Sequence, residues 1–473
     1  MLTASVIAPD GTAYVSMARR MVTDWRAELP RDYPLGYPFL IRLVYGCGGF
    51  LFSRETVLAW QRSGQFVALI SGTAVIALIY LIGRRMIGAR VGLLAAWIWA
   101  LLPSACALSA DALSDMPTLC LVLGSLLTLM KGAEGKQLRL LICTGLLSGA
   151  AYCIRPEGAE AAIVGIVFVV AMGRVNWSQR IASAVAVGVG FLFIGGSYAA
   201  LEGGRLINKQ TWLQEETSAG HELIGVQYAG LATLSEANLI RPVGAVMEKI
   251  GISMRYLWLV PALIYPFLGA ARRDRRWCTG PPAYLFLFHL AVLIWFQHRS
   301  GYLSHRHTML LAVFLVILAA GTLSEAGGWV QRRMGRGGLD WFAIAIGSLA
   351  LSPWLFRDIN SSRWYIHDAA AFVSRANLGH APNIVAQHGW VPFYSGLLNW
   401  AGCPHAANLS NCNDLVTADF AVFDTREAVP GLVRLRLGGP DIGLTEAARF
   451  IDPRSSRGVV IYRVIHGGEA FRK

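Results

Sequence analysis

Residues 8–39 open with Ala8-Pro9-Asp10-Gly11-Thr12-Ala13-Tyr14 and close with Asp32-Tyr33-Pro34-Leu35-Gly36-Tyr37-Pro38-Phe39. From Tyr14 the apolar positions Tyr14, Met17, Ala18, Met21, Val22 and Trp25 recur at helical spacing. Arg19, Arg20, Asp24 and Arg26 fall on the other side. An aromatic and methionine face opposite a basic face suits the lipid headgroup layer. The stretch therefore predicts a surface helix at a membrane, with the lone carboxylate of Asp10 at its start and everything downstream anchoring or surrounding it.

Composition agrees with a membrane setting. Of 473 residues, 55% are hydrophobic and only 15% charged, and the mean hydropathy of +0.47 is too high for a soluble chain of this size. The formal net charge of +13 sits in short loops between apolar runs, a topology signal that argues against a nucleic-acid partner. The first eight residues have no basic start and too short an apolar core for a cleavable signal peptide.

Residues 38–52 read as a second interfacial helix. Apolar runs then follow at about 65–83, 91–108, 118–130, 138–154, 159–172, 181–201, 252–270, 281–296, 308–323 and 339–356, roughly ten spans for a core about 30 Å thick. Alternate loops carry the arginines and lysines, including Arg84, Arg85, Lys131, Arg272 and Arg332, and should be cytoplasmic. The other loops carry Asp10, Asp111, Asp115, Glu157, the segment 202–251 and residues 297–307. These should face outward, together with everything after Phe356. The predicted organisation is a mainly α, polytopic transmembrane bundle over 1–356 and a small extracytoplasmic α/β domain over 357–473. In that domain a helix near 367–378 precedes buried strands at 383–386, 420–423 and 459–462. It carries no nucleotide motif. Cys403 and Cys412 lie in its polar part, where an oxidising compartment favours a disulfide.

The outward polar residues supply candidate chemistry. Carboxylates can take a proton from an attacking hydroxyl, and arginines can hold a phosphate while negative charge grows on it. Asp10, Asp111 and Asp115 are the catalytic candidates, and Arg155, Arg299 and Arg306 the phosphate-binding ones. Glu215, His221 and Arg241 are candidates for an acceptor-side lid. Plainer roles stay open for each. Asp10 and Asp115 suit helix starts, Asp111 a solvated loop, Arg155 and Glu157 a rim ion pair, and the outer-loop residues a solvated surface. His305 and His307 point to different helix faces, a poor geometry for a metal. No cofactor is named by the sequence, and a divalent metal is left open.

These motifs, taken in order, resemble a known family. Pro9-Asp10-Gly11-Thr12-Ala13-Tyr14, Tyr33-Pro34-Leu35-Gly36-Tyr37-Pro38, Gly83-Arg84-Arg85, Leu113-Ser114-Asp115-Met116-Pro117, Ile154-Arg155-Pro156 and Ser304-His305-Arg306-His307 are similar to the GT-C membrane glycosyltransferases. The group in question includes the dolichyl-phosphate-mannose protein mannosyltransferases and the lipid A aminoarabinose transferases. The resemblance implies an inner-membrane, multi-pass enzyme with a polyprenyl-phosphate-linked sugar as donor and a lipid, protein or glycan as acceptor. It matches the family's first-loop catalytic base to Asp10, its second-loop acid to Asp115, and its late phosphate contact to Arg306. Two departures stand out. Gly11 occupies the position where many relatives place a second acid, and no counterpart of the family's first membrane helix precedes residue 8. The latter points to a start upstream of Met1 or a shortened form. A transporter or flippase of lipid-linked saccharides is the competing class, against which the sequence shows no inverted repeat.

Overall fold

The computed structural model describes residues 6–26, 33–48, 57–172, 176–203, 240–271, 280–334, 345–347, 349–350, 353, 365–376, 378, 380–386, 390–397, 401–402, 417–425, 433–436, 441–452 and 457–466. Two short helices open the chain, α1 (Pro9–Arg20) and α2 (Gly36–Gly48). The membrane part follows as α3 (Val57–Met86), α4 (Ala89–Ala100), α5 (Pro103–Ala110), α6 (Asp115–Gly135), α7 (Leu138–Ile154), α8 (Glu160–Ala171), α9 (Trp177–Phe191) and α10 (Ser197–Leu201). It continues with α11 (Ile240–Ser253), α12 (Leu259–Ala271), α13 (Pro281–Ser300) and α14 (Met309–Met334).

Among the described residues, four helical stretches are long and apolar enough to cross a membrane, Val57–Met86, Asp115–Gly135, Trp177–Leu201 and His305–Arg333. The pair α4 and α5, bent by 62°, is apolar and long enough when taken together. Pro103, at the first position of α5, cannot donate the hydrogen bond that would continue α4. The run at 91–108 is thus a bent pair of helices. That at 159–172 is shortened by a 3₁₀ turn at Pro156–Ala159. The run at 252–270 is interrupted where Arg255 and Tyr256 take φ of 54° and 56°, ending α11 before α12 begins. Much of the run at 339–356 lies outside the described residues. Val185, Val189 and Phe193 stand exposed along α9 and the π-helical turn after it, as a face toward lipid requires. The opposite side of the bundle is a continuous buried core built from α3 to α6 and α14.

α1 differs from its expected setting. Tyr14, Val15, Met17, Ala18 and Met21 are buried against protein, and only Val22 and Trp25 stay exposed. The Tyr14 ring is held edge-on between Tyr33 and Tyr37, with centroids 5.1 and 5.2 Å away. α2, α3 and the C-terminal domain supply apolar surface that covers this face. Two glycines allow the close approaches. A Cβ on Gly11 would lie 2.9 Å from the Ala112 carbonyl oxygen, and one on Gly36 would lie 2.4 Å from that of Cys153. The first explains why no second acid stands beside Asp10, and the second why Leu35-Gly36-Tyr37 can dock on the end of α7.

Among the described residues, the C-terminal domain forms a six-stranded mixed sheet with helices α15 (Tyr365–Ser374) and α16 (Trp390–Tyr394). Its strands are β1 (Ile384–Ala386), β2 (Ala401–Gly402), β3 (Phe420–Asp424), β4 (Val433–Arg436), β5 (Asp441–Ile451) and β6 (Gly458–His466), in the order β2-β1-β3-β6-β5-β4. β1 runs parallel to β2 and β3, and the other pairs are antiparallel. The apolar residues of α15, β1, β3 and β6 form its core, and Val6 from the start of the chain is part of that core. Ile7 donates its backbone N–H to the Tyr394 hydroxyl (3.1 Å) and accepts from Trp390 Nε1 (2.8 Å). Tyr394 in turn donates to Gln61 Oε1 on α3 (2.9 Å). The domain is thereby tied to both the membrane part and the segment leading into α1. Cys403 and Cys412 lie outside the described residues.

Candidate active site

Four separated stretches meet at one cavity. Its charged and polar lining is Asp115, Thr118, Arg155, Glu157, His289, Arg306 and His307, with apolar walls from α6, α13 and α14 and a volume of about 60 Å³. Asp115 is the first residue of α6, where the unpaired N–H groups of the first turn favour a carboxylate. Arg155 follows the last residue of α7 and Glu157 lies in the 3₁₀ turn that Pro156 starts. Arg306 and His307 come from a second 3₁₀ turn, His305–Thr308, that leads into α14.

The charges alternate in sign. Arg155 Nη1 donates to Asp115 Oδ1 at 2.5 Å, and Arg155 Nη2 to Glu157 Oε1 at 3.2 Å. Arg306 donates to Asp10 Oδ2 at 2.6 Å through Nη2, while its Nη1 lies 3.8 Å from Asp115 Oδ2. Tyr33 donates to the other Asp10 oxygen at 3.4 Å. Arg306 thus bridges Asp10, one-third exposed, and Asp115, whose side chain is 5% exposed. Burial alone would lower the pKa of Arg155, but the carboxylates of Glu157 and Asp115 outweigh it and hold that guanidinium above its usual range.

Asp111 has a different setting. Both its oxygens accept from the Ala8 N–H, at 3.1 and 3.2 Å, and Oδ1 also accepts from the Ala112 N–H at 2.8 Å. It anchors the backbone leading into α1. Burial pushes its carboxyl up to about 6, only partly offset by those N–H groups and by Arg306. Tyr14, whose hydroxyl lies 3.1 Å from Ser114 Oγ, has its phenol raised to about 12 by burial.

Of the sequence candidates, Asp10, Asp115, Arg155 and Arg306 come together. Arg299 is exposed in the last turn of α13 and Arg241 is exposed at the start of α11, and among the described residues neither has an ion pair to the cluster. Glu215 and His221 lie outside the described residues. Sequence reasoning passed over His289 and Glu160, because both fall inside intervals that read as plain apolar spans. His289 Nδ1 lies 2.6 Å from Glu160 Oε2 and its Nε2 lies 3.0 Å from the His307 carbonyl oxygen. A lone polar residue inside an apolar run was the available signal.

Comparisons with known proteins bear on the fold. The family described as dolichyl-phosphate-mannose-protein mannosyltransferase matches residues 34–196. The chain is similar to ArnT from Cupriavidus metallidurans in the apo state, with a TM-score of 0.61 and 14% identity, over 97% of this chain and 94% of that one. The same protein bound to undecaprenyl phosphate matches with a TM-score of 0.58, 14% identity and the same coverage. The Archaeoglobus fulgidus oligosaccharyltransferase AglB, in complex with an inhibitory peptide and a dolichol-phosphate, matches with a TM-score of 0.54 and 12% identity over 90% of this chain and 66% of that one. No curated protein sequence matches the chain. The chain shares the fold of these solved membrane glycosyltransferases.

Proposed function

We propose that the chain transfers a sugar from a polyprenyl-phosphate donor to an extracytoplasmic acceptor, with inversion at the anomeric carbon and Asp10 as base. The observation that carries this reading is Arg306 held between Asp10 and Asp115, with Arg155 on the far side of Asp115. Binding of undecaprenyl phosphate to the structurally similar ArnT supports the donor class.

The geometry gives each group a task. An arriving donor phosphate competes with Asp10 for the Arg306 guanidinium, whose forked N–H groups suit phosphate oxygens. Exchange of that partner leaves the Asp10 carboxylate free to accept the proton of an acceptor hydroxyl. The hydroxyl oxygen bonds to the anomeric carbon as the bond from that carbon to the phosphate oxygen breaks. The electron pair leaves with the phosphate, where Arg306, with Arg155 behind it, meets the added charge. The products are the glycosylated acceptor, polyprenyl phosphate and protonated Asp10. Phosphate is a good leaving group, so no separate acid is required. Asp115 orients the two arginines, Asp111 holds the segment before Asp10, and Glu215, His221 and Arg241 are assigned to the acceptor side. Arg299 is assigned to the approach of the phosphate, and Cys403 with Cys412 to a disulfide of the outer domain.

The test is transfer by the purified chain from labelled undecaprenyl-phosphate sugars, followed as release of undecaprenyl phosphate. Transfer that depends on Asp10 supports the assignment. Full transfer by Asp10→Asn removes Asp10 as base, and failure with every polyprenyl-phosphate sugar removes the donor class. Mass spectrometry of envelope glycolipids and glycoproteins with and without the gene names the acceptor.

A further inference from the structure

Glu160 and His289 form a buried pair in the membrane part that the proposed chemistry does not use. Glu160 is 5% and His289 3% exposed, on α8 and α13 respectively, and they meet at 2.6 Å between Oε2 and Nδ1. The second histidine nitrogen fixes what the ring can do. Nε2 lies 3.0 Å from the His307 carbonyl oxygen, and a carbonyl only accepts, so Nε2 carries a hydrogen and donates it. Glu160 on Nδ1 then sets the ring's orientation, as a carboxylate behind a histidine does elsewhere in protein chemistry. Among the described residues Glu160 Oε1 is buried without a hydrogen-bond partner, and Oε2 meets the histidine.

The carbonyl that His289 holds belongs to the turn that carries Arg306. That turn is tied down on several sides. Ser253 and Thr308 donate to the His305 carbonyl at 2.9 and 2.8 Å, and the Ser304 N–H donates to His307 Nδ1 at 3.2 Å. His289 supplies the tie at the end nearest α14 and itself lines the cavity. Packing of α8 on α13 does not call for such a pair, since apolar side chains of similar volume would join the helices without the desolvation cost. A fixed position for the turn does call for it.

We propose that Glu160 and His289 are positioning residues that clamp the His305–Thr308 turn and so set Arg306 at donor-phosphate distance. The phosphate part of this rests on the functional reading above, while the clamp itself does not. Two measurements on the full chain in detergent separate them, namely hydrogen exchange of the backbone amides over 304–309 and binding of radiolabelled undecaprenyl phosphate. His289→Leu is expected to speed exchange in the turn and to weaken binding, each by about tenfold, the equivalent of one buried hydrogen bond. His289→Gln keeps an N–H donor and is expected to recover most of both losses, which a merely space-filling role would not produce. Combined with Arg306→Ala, His289→Leu should cost no further affinity, because the clamp acts through the arginine. Unchanged exchange in His289→Leu, no recovery by His289→Gln, or additive losses in the double variant each overturn the proposal. Should His289→Leu not fold, Glu160→Leu replaces it, freeing the ring to turn while leaving its nitrogens in place. Faster exchange over 304–309 supports the clamp and unchanged exchange overturns it. If Arg306→Ala binds undecaprenyl phosphate as well as the wild type does, the phosphate reading falls, and exchange alone decides the clamp.

Discussion

Asp10 and Arg306 stand 296 positions apart in the chain, yet Arg306 Nη2 donates to Asp10 Oδ2 at 2.6 Å. The base and the phosphate ligand of the proposed reaction are therefore partners before any donor arrives. Removing the carboxylate charge should separate their tasks. Asp10→Asn is expected to lower transfer by roughly 10²–10⁴, the range for a lost general base, while undecaprenyl phosphate binds at least as tightly because Arg306 has lost its competitor. Turnover and equilibrium binding on the same preparation check both halves.

Arg155 compensates the buried Asp115 at 2.5 Å. Arg155→Met leaves that carboxylate with only the more distant Arg306, and a loss on the order of 3–5 kcal/mol is expected from the stranded charge. Adding Asp115→Asn should restore part of it, so the two changes are non-additive. Thermal unfolding in detergent of the two single variants and the double variant provides the measurement.

Asp111 gives a pH signature. Its carboxyl is raised from 3.8 to about 6 in the folded chain, so the unfolded chain ionises first as pH rises. No cost exists below pH 3.8; it grows from there to about 6, and it is complete above 6, on the order of 3 kcal/mol. Asp111→Asn keeps an acceptor for the Ala8 N–H and has no such penalty. The wild type should therefore gain on the variant as pH falls from 7 to 4, read as the difference between their unfolding midpoints.

Gly11 faces the Ala112 carbonyl with no room for a methyl group. Gly11→Ala must shift α1 or the turn at 111–112, at an expected cost of about 1–3 kcal/mol, and must displace the adjacent Asp10. Both unfolding temperature and transfer should fall. A stable and fully active variant would show that α1 is not held this closely.

Much of this was legible in the sequence because membrane helices and buried strands announce themselves through apolar runs. The runs at 118–130 and 138–154 lie on α6 and α7, and that at 459–462 lies within β6. Asp10, Asp115, Arg155 and Arg306 were legible as polar residues at run ends. What stayed hidden depended on partners remote in the chain. The apolar face of α1 looks the same whether lipid or protein covers it, and only the fold supplies Tyr33, Tyr37 and α3. Glu160 and His289 lay inside runs whose average masks a single polar residue. Asp111 has the composition of a loop acid, and its bond to the Ala8 N–H could not be read from either segment alone.

The bonds from Ile7 to Tyr394 and Trp390, with Val6 buried beside Ile366 and Ile461, impose an order on biogenesis. The helix bearing Asp10 is made before the membrane helices, but the surface that seats the segment before it is made after them. A chain stopped after Met334 would contain every charged side chain of the cavity and the Asp111 bond to Ala8, and still lack the seat for Val6 and Ile7. The seat for the segment before Asp10 is therefore complete only once translation has reached the sheet.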